Sequence, residues 1–289
     1  MHNIKITDVR ENQGDSAFLI DDGTTSIMYD SGFAFTGYKV AKRIKEVLGE
    51  RKLDYIFLSH SHYDHALGSV YVKQIYPDAK VVAGEYAAKI FAKPTARAVM
   101  RDLDKKYATK CGINEYEDLI DNLCVDITVN DGDTIKAGNM EFTAVSFPGH
   151  TKCSVGYYLE ENNLLLGSET LGVYGGKGVV VPSYLIGYEV TMNSIKKASK
   201  MDIENILIPH YGLLSREDTA EYLRIGYESA KETAQEISNL LKNGGSEGDA
   251  FNLFRNKFFH GYVKEIYPED AMALNTTIMV NLIKNELVL

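Results

Sequence analysis

Cysteine is scarce and unpatterned in this 289-residue chain. Cys111, Cys124 and Cys153 form no CxxC pair, and three is an odd number, which argues against a disulfide framework. A reducing, cytoplasmic setting is the expectation. Low-complexity and proline-rich stretches are missing, so no segment reads as disordered. No run of about 18 apolar residues occurs, which argues against a membrane span. The opening residues, 1–6, alternate and lack the apolar core of a signal peptide. Basic runs are missing too, and the formal net charge is −9. Phosphate backbones would be repelled on average, so no nucleic-acid partner is expected. A small-molecule partner is the working expectation, and the oligomeric state stays open, a homodimer included. Hydrophobic residues make up 45% of the chain, enough for one large domain or a domain with an appendage.

What is present is an alternation of β and α texture. Residues 4–9, 16–20 and 26–30 read as a meander, with Asp22-Gly23 as a hairpin turn. Val40, Ile44, Val47 and Leu48 recur at helical spacing up to a stop at Gly49. A strand at 55–58, a helix to about 76 and a strand at 80–83 imply a parallel crossover. Residues 84–122 read as a helical insertion broken at Pro94 and Gly112. Strands follow at 125–129, 140–147, 155–159, 164–166 and 206–208. A Gly- and Tyr-rich loop spans 172–188 and a helix covers about 190–200. Beyond Gly212 the texture is helical, opening on the capping pair Ser215 and Asp218, with further helices near 247–259 and 268–286. The fold class expected is α/β: a four-layer αββα sandwich over 1–214, followed by a helical subdomain over 215–289.

The chemistry concentrates in His60-Ser61-His62-Tyr63-Asp64-His65, directly after an apolar strand. Imidazole nitrogen and carboxylate oxygen are ligands of zinc, iron or manganese. In extended backbone His60 and His62 share a face, while the adjacent Asp64 and His65 point elsewhere and can serve a second ion. His150, Glu169 and His210 each follow a predicted strand, where α/β sheets bind ligands. Five of the seven histidines therefore sit at strand ends. Of the other two, His2 reads as a terminal surface residue. His260, with Tyr174, Tyr188 and Tyr211, is a candidate substrate contact, against a plain packing role for each.

His60 to His65 resembles the HxHxDH motif of the metallo-β-lactamase superfamily. Phe147-Pro148-Gly149-His150-Thr151 resembles its PGHT element, and Pro209-His210-Tyr211-Gly212 its terminal GHG-type element. Asp131-Gly132-Asp133-Thr134 resembles the DGD turn upstream. The resemblance covers about 1–215, in the family's order. It implies the metallo-β-lactamase fold and two divalent metal ions, zinc first, iron or manganese as alternatives. His60, His62 and His150 would bind the first ion; Asp64, His65 and His210 the second, with Asp64 also orienting the nucleophile. The family bridges its metals with Asp. Here Gly167-Ser168-Glu169-Thr170 stands in that place, and Glu169 is the expected counterpart because a neutral serine bridges two dications poorly. Its extra methylene leaves single-metal occupancy open.

A bound divalent ion lowers the pKa of water from about 16 towards about 7 and makes it a nucleophile. The helical C-terminus resembles that of the glyoxalase II-like and thioester-cleaving members. The expected activity is therefore hydrolysis of a small-molecule thioester or ester. Lactone or phosphodiester hydrolysis is the nearest alternative, and a metal-binding or sensing protein with little activity another. A di-iron redox protein is disfavoured, because the flavodiiron kind has Glu where this chain has His62 and carries a flavin domain absent here.

Overall fold

The structure is a computed structural model and describes residues 3–289. His2 lies outside them. The first sheet contains six strands in sequence order: β1 (Lys5–Asp8), β2 (Phe18–Asp21), β3 (Ser26–Tyr29), β4 (Tyr55–Phe57), β5 (Lys80–Gly84) and β6 (Ile127–Val129). The first three form the antiparallel meander and the last four run parallel. Parallel neighbours need crossovers, and helices supply them. These are α1 (Gly37–Leu48), α2 (Tyr63–Ala66) with α3 (Gly68–Ile75), and α4 (Glu85–Phe91) with α5 (Pro94–Lys110). Val40, Ala41, Ile44 and Leu48 form the buried stripe of α1. The helical spacing groups Val47 with them, but it lies at the edge of the stripe and is 37% exposed.

The second sheet has the order β14-β13-β10-β9-β8-β7. Its strands are β7 (Thr134–Ala137), β8 (Met140–Ser146), β9 (Val155–Leu159), β10 (Leu164–Leu166), β13 (Asn205–Ile208) and β14 (Gly212–Leu213). A two-stranded ribbon, β11 (Val173–Tyr174) and β12 (Val180–Val181), lies within the stretch read as a loop. Helix α6 (Tyr188–Ala198) precedes β13. This sheet is mixed rather than parallel. Because β9 is antiparallel to both β8 and β10, and β13 is parallel to β10, the strands β8, β10 and β13 all run the same way. Their C-terminal ends share one rim.

Three apolar cores separate four layers. Successive side chains of a strand face opposite sides, and the residues sort accordingly. Phe18, Tyr29 and Phe57 meet Phe142, Tyr157 and Leu166 between the sheets. Leu19, Met28 and Ile56 face outward onto Val40 and Ile44 of α1 and Val70 of α3. Leu165, Ile206 and Ile208 face outward on the other side, against Met192 and Ile195 of α6.

The last helices extend that outer layer. They are α7 (Arg216–Lys242), α8 (Glu247–Phe258), α9 (Gly261–Ile266) and α10 (Glu269–Ile283). Ser215 caps α7 by accepting from Asp218 N, and Ser246 and Asp249 form a capping box on α8. Such caps contribute about 1 kcal/mol each. Phe254, Phe258, Met279 and Ile283 share one core with Ile206 and Ile208. This packing carries α9 and α10 to the rim where the strand ends converge. Among the described residues no helix is long and apolar enough to cross a membrane.

Candidate metal centre

Each side chain of the centre follows a strand. Asp30 follows β3, His60 follows β4, His150 follows β8, Glu169 follows β10 and His210 follows β13. The short α2 then turns Asp64 and His65 back onto the same rim. It can do so because Gly68 lies against the loop after β3. A Cβ there would sit 1.8 Å from the Ser31 carbonyl oxygen.

Two groups of donors result. His60, His62, His150 and Glu169 offer ligand atoms within 4.8 Å of one another, and so do Asp64, His65 and His210. Glu169 joins the groups. Its Oε2 lies 2.8 Å from His150 Nε2, and its Oε1 lies 2.7 Å from His210 Nε2. All seven residues named from the sequence are thus gathered at one place.

The ring orientations are fixed from behind. His65 Nδ1 lies 2.7 Å from Asp30 Oδ2, and Asp30 in turn accepts from Ser59 N, Ser59 Oγ and Ser16 Oγ. His210 Nδ1 donates to the Gly14 carbonyl at 2.9 Å. His150 Nδ1 lies 2.6 Å from Ser183 Oγ, and His60 Nδ1 lies 3.0 Å from Ser59 Oγ. Anchoring Nδ1 in this way leaves Nε2 free to face the centre. Nε2 of His60 and of His65 is buried without a hydrogen-bond partner. An unpartnered buried polar atom is costly. A cation among these nitrogens and carboxylates removes that cost, so the residues present fit a metal of the zinc, iron or manganese type.

The electrostatics of His60, His62 and Glu169 agree with that fit. Burial, and the neighbouring His65, His62 and His150, hold His60 well below the usual imidazole range. Burial and His150 do the same to His62. Both are neutral with a lone pair to give. Burial would raise the Glu169 carboxyl, but His150 and His210 outweigh it and hold Glu169 well below the usual carboxylate range. Burial lowers His65, yet Asp30 and Asp64 raise it to about 10.

A cavity of about 340 Å³ opens onto the centre at His62, Asp64, His150, Glu169 and His210. Phe33, Tyr63 and Tyr107 form one aromatic wall, with Phe33 4.8 Å from Tyr107 and 5.6 Å from Tyr63 between ring centroids. Ile266, the last residue of α9, and Tyr267, which follows it, form the facing wall.

The four suggested substrate contacts do not line this cavity. Tyr174 is buried against Tyr211 and Tyr222. Tyr188 begins α6 and packs on Tyr184. Tyr211 follows His210 but packs edge-on against Tyr174 and Tyr262. His260 is exposed at the start of α9, its Nε2 3.0 Å from the Lys257 carbonyl oxygen. The cavity draws instead on residues of α5 and α10 whose facing the sequence does not disclose. From the sequence Asp30 reads only as the end of a strand; the signal it carries is an acidic residue at the end of an apolar strand. Cys153 is buried, with Sγ 3.2 Å from both Ser61 Oγ and Thr151 Oγ1, and lies off the cavity.

The family profile of the Metallo-beta-lactamase superfamily matches residues 13–210, which contain every donor of the centre. The chain belongs to the metallo-β-lactamase superfamily. A relative, Glyoxylase B2 of Dictyostelium discoideum, is 31% identical over 134 residues, covering 46% of this chain and 41% of that protein. The chain thus matches less than half the length of that relative. Among solved structures, the metallo-beta-lactamase family protein TTHA1429 of Thermus thermophilus has a TM-score of 0.63 at 15% identity, covering 93% of this chain and 88% of that one. The chemotaxis sensor ODP, solved as a peroxy di-iron species, has a TM-score of 0.54 at 15% identity, covering 78% and 90%. These two likenesses establish the superfamily fold. Within it, the carboxylate joining the two donor groups of this chain is the longer Glu169.

Proposed function

We propose that the chain is a metal-dependent hydrolase acting on a small-molecule thioester or ester. The observation that carries this reading is the pair of donor groups, joined by Glu169, at the floor of an aromatic-walled cavity. His60, His62 and His150 would hold one divalent ion, and Asp64, His65 and His210 a second, with zinc first and iron or manganese as alternatives. When bound, such ions supply water of lowered pKa and polarise the acyl oxygen. Asp64 faces the cavity from the edge of the centre, its Oδ2 3.6 Å from His65 Nε2 and 3.9 Å from His210 Nε2. Its carboxylate accepts a hydrogen bond from the attacking water and orients it. The aromatic wall holds the acyl chain against the centre and displaces bulk water from it. The likeness to a protein named Glyoxylase B2 supports the glyoxalase-type reading.

The test is metal analysis of natively purified protein, followed by thioesters, esters, lactones and phosphodiesters assayed with zinc, iron and manganese in turn. Bound metal and turnover of a thioester or ester are expected. His62→Ala should lose metal and slow turnover by about a hundredfold or more. Absence of bound metal, or near-normal turnover by that variant, refutes the proposal. Bound metal without any turnover turns the reading to a sensor, which the fold likeness to ODP favours.

A further inference from the structure

We propose that Lys106 and Lys110 are the receptor for a carboxylate on the substrate. The inference rests on the hydrolase reading for the word substrate, and on the cavity alone for the site.

Apart from the donors of the centre, Lys106, Lys110 and Asp270 are the only charged residues among those described as lining the cavity. The lysines stand one turn apart on α5, on the face that also presents Leu103 and Tyr107 to the cavity. Both point to Asp270 at the start of α10. Lys110 Nζ lies 2.6 Å from Oδ1 and Lys106 Nζ lies 2.9 Å from Oδ2. Each carboxylate oxygen takes one ammonium. A carboxylate of the chain itself therefore occupies a two-point receptor at the open side of the cavity, and shows what ligand that receptor fits.

Asp270 is a replaceable occupant. The side chains of Lys106, Lys110 and Asp270 are 62%, 46% and 39% exposed, and exposed ion pairs are weak and screened by salt. Two ammoniums facing one carboxylate leave an excess positive charge at this spot in a chain of net charge −9. On release, Asp270 stays in the first turn of α10, where a negative charge is favourable. Between the lysines and the metal-type donors the lining is apolar and aromatic, from Leu103, Tyr107, Phe33 and Tyr63. The ligand read from this lining has a cleavable acyl group at one end, an apolar middle and a carboxylate at the other end.

Two probe pairs test the site on the metal-loaded protein. The mono-anilide of glutaric acid and valeranilide differ in the terminal carboxylate, and calorimetry measures their binding. The mono-4-nitrophenyl ester of glutaric acid and 4-nitrophenyl valerate form the matching ester pair. The anionic anilide should bind about tenfold more tightly than the neutral one. In Lys106→Gln/Lys110→Gln that preference should vanish, and Asp270→Asn should strengthen it. No binding of the anionic anilide, equal binding of both, or a preference that survives in the double variant overturns the proposal. The two readings separate cleanly. Anionic preference without cleavage of either ester keeps the receptor and removes esterase activity, whereas cleavage of both esters with equal anilide binding does the reverse.

Discussion

Tyr262, on α9, donates its hydroxyl to the main-chain carbonyl of His210 at 2.8 Å. Arg10 donates to the same oxygen and is itself held by Asp8. His210 needs this support, because its φ of 64° lies in the left-handed region, which costs a non-glycine residue about 1 kcal/mol or more. The C-terminal helices thereby reach into the centre through one hydroxyl. Tyr262→Phe removes a single hydrogen bond, worth about 1 kcal/mol, and keeps the ring packing. Competition with a chromogenic chelator should show metal at the His210 group held about fivefold less tightly, with Tm lowered by a few degrees. Unchanged affinity would mean that Arg10 alone suffices to hold His210.

Glu169 is the one side chain whose two oxygens reach the two donor groups, 2.8 Å from His150 Nε2 and 2.7 Å from His210 Nε2. Its length is matched to that span, since the 3₁₀ turn Glu169–Leu171 sets it just past β10, with Ser168 Oγ accepting from Thr170 N. Glu169→Gln keeps the length and removes the charge. With the two proposed ions bound, one carboxylate fewer would weaken the hold on both, so the metal content measured by mass spectrometry should fall by about one equivalent. Full stoichiometry in this variant would show that Glu169 is no ligand.

The sequence made the donors legible because each carries a mark that survives without coordinates: a histidine or carboxylate directly after an apolar strand. His150 and His210 are about 60 residues apart and far from His60, yet the strand before each of them is enough to place them on one rim. The second sheet is mixed, and its strands agree in direction because β9 reverses between β8 and β10. The cavity was illegible for a different reason. Tyr107 and Tyr267 owe their positions to the packing of α5 and α10 over the rim, a tertiary arrangement that helical periodicity does not encode. Tyr174 and Tyr211 misled because a tyrosine near a rim carries no mark of which way it points, and here the two rings pack on each other.

Asp104 shows how that packing is anchored, and it makes stability depend on pH. The residue is fully buried on α5, where Oδ1 accepts from Ala34 N at 2.8 Å and Oδ2 from the Tyr116 hydroxyl at 2.5 Å. It ties α5 to the loop that carries Phe33 into the cavity wall. Burial pushes its carboxyl up to about 6, against the opposing effect of those hydrogen bonds. The unfolded value is about 4, so between about pH 4 and pH 6 the folded chain holds a proton that the unfolded chain releases. Its contribution is therefore fully present below about pH 4 and is lost as pH rises through 6, by about 3 kcal/mol in all. Asp104→Asn cannot ionise, keeps an acceptor for Ala34 N and turns an amide donor towards the Tyr116 oxygen. In urea unfolding followed from pH 4.5 to 7.5, the variant should gain on the parent by about 2 kcal/mol as pH rises. Parallel stability profiles for the two proteins would show that Asp104 titrates at its ordinary value and that its burial is fully compensated.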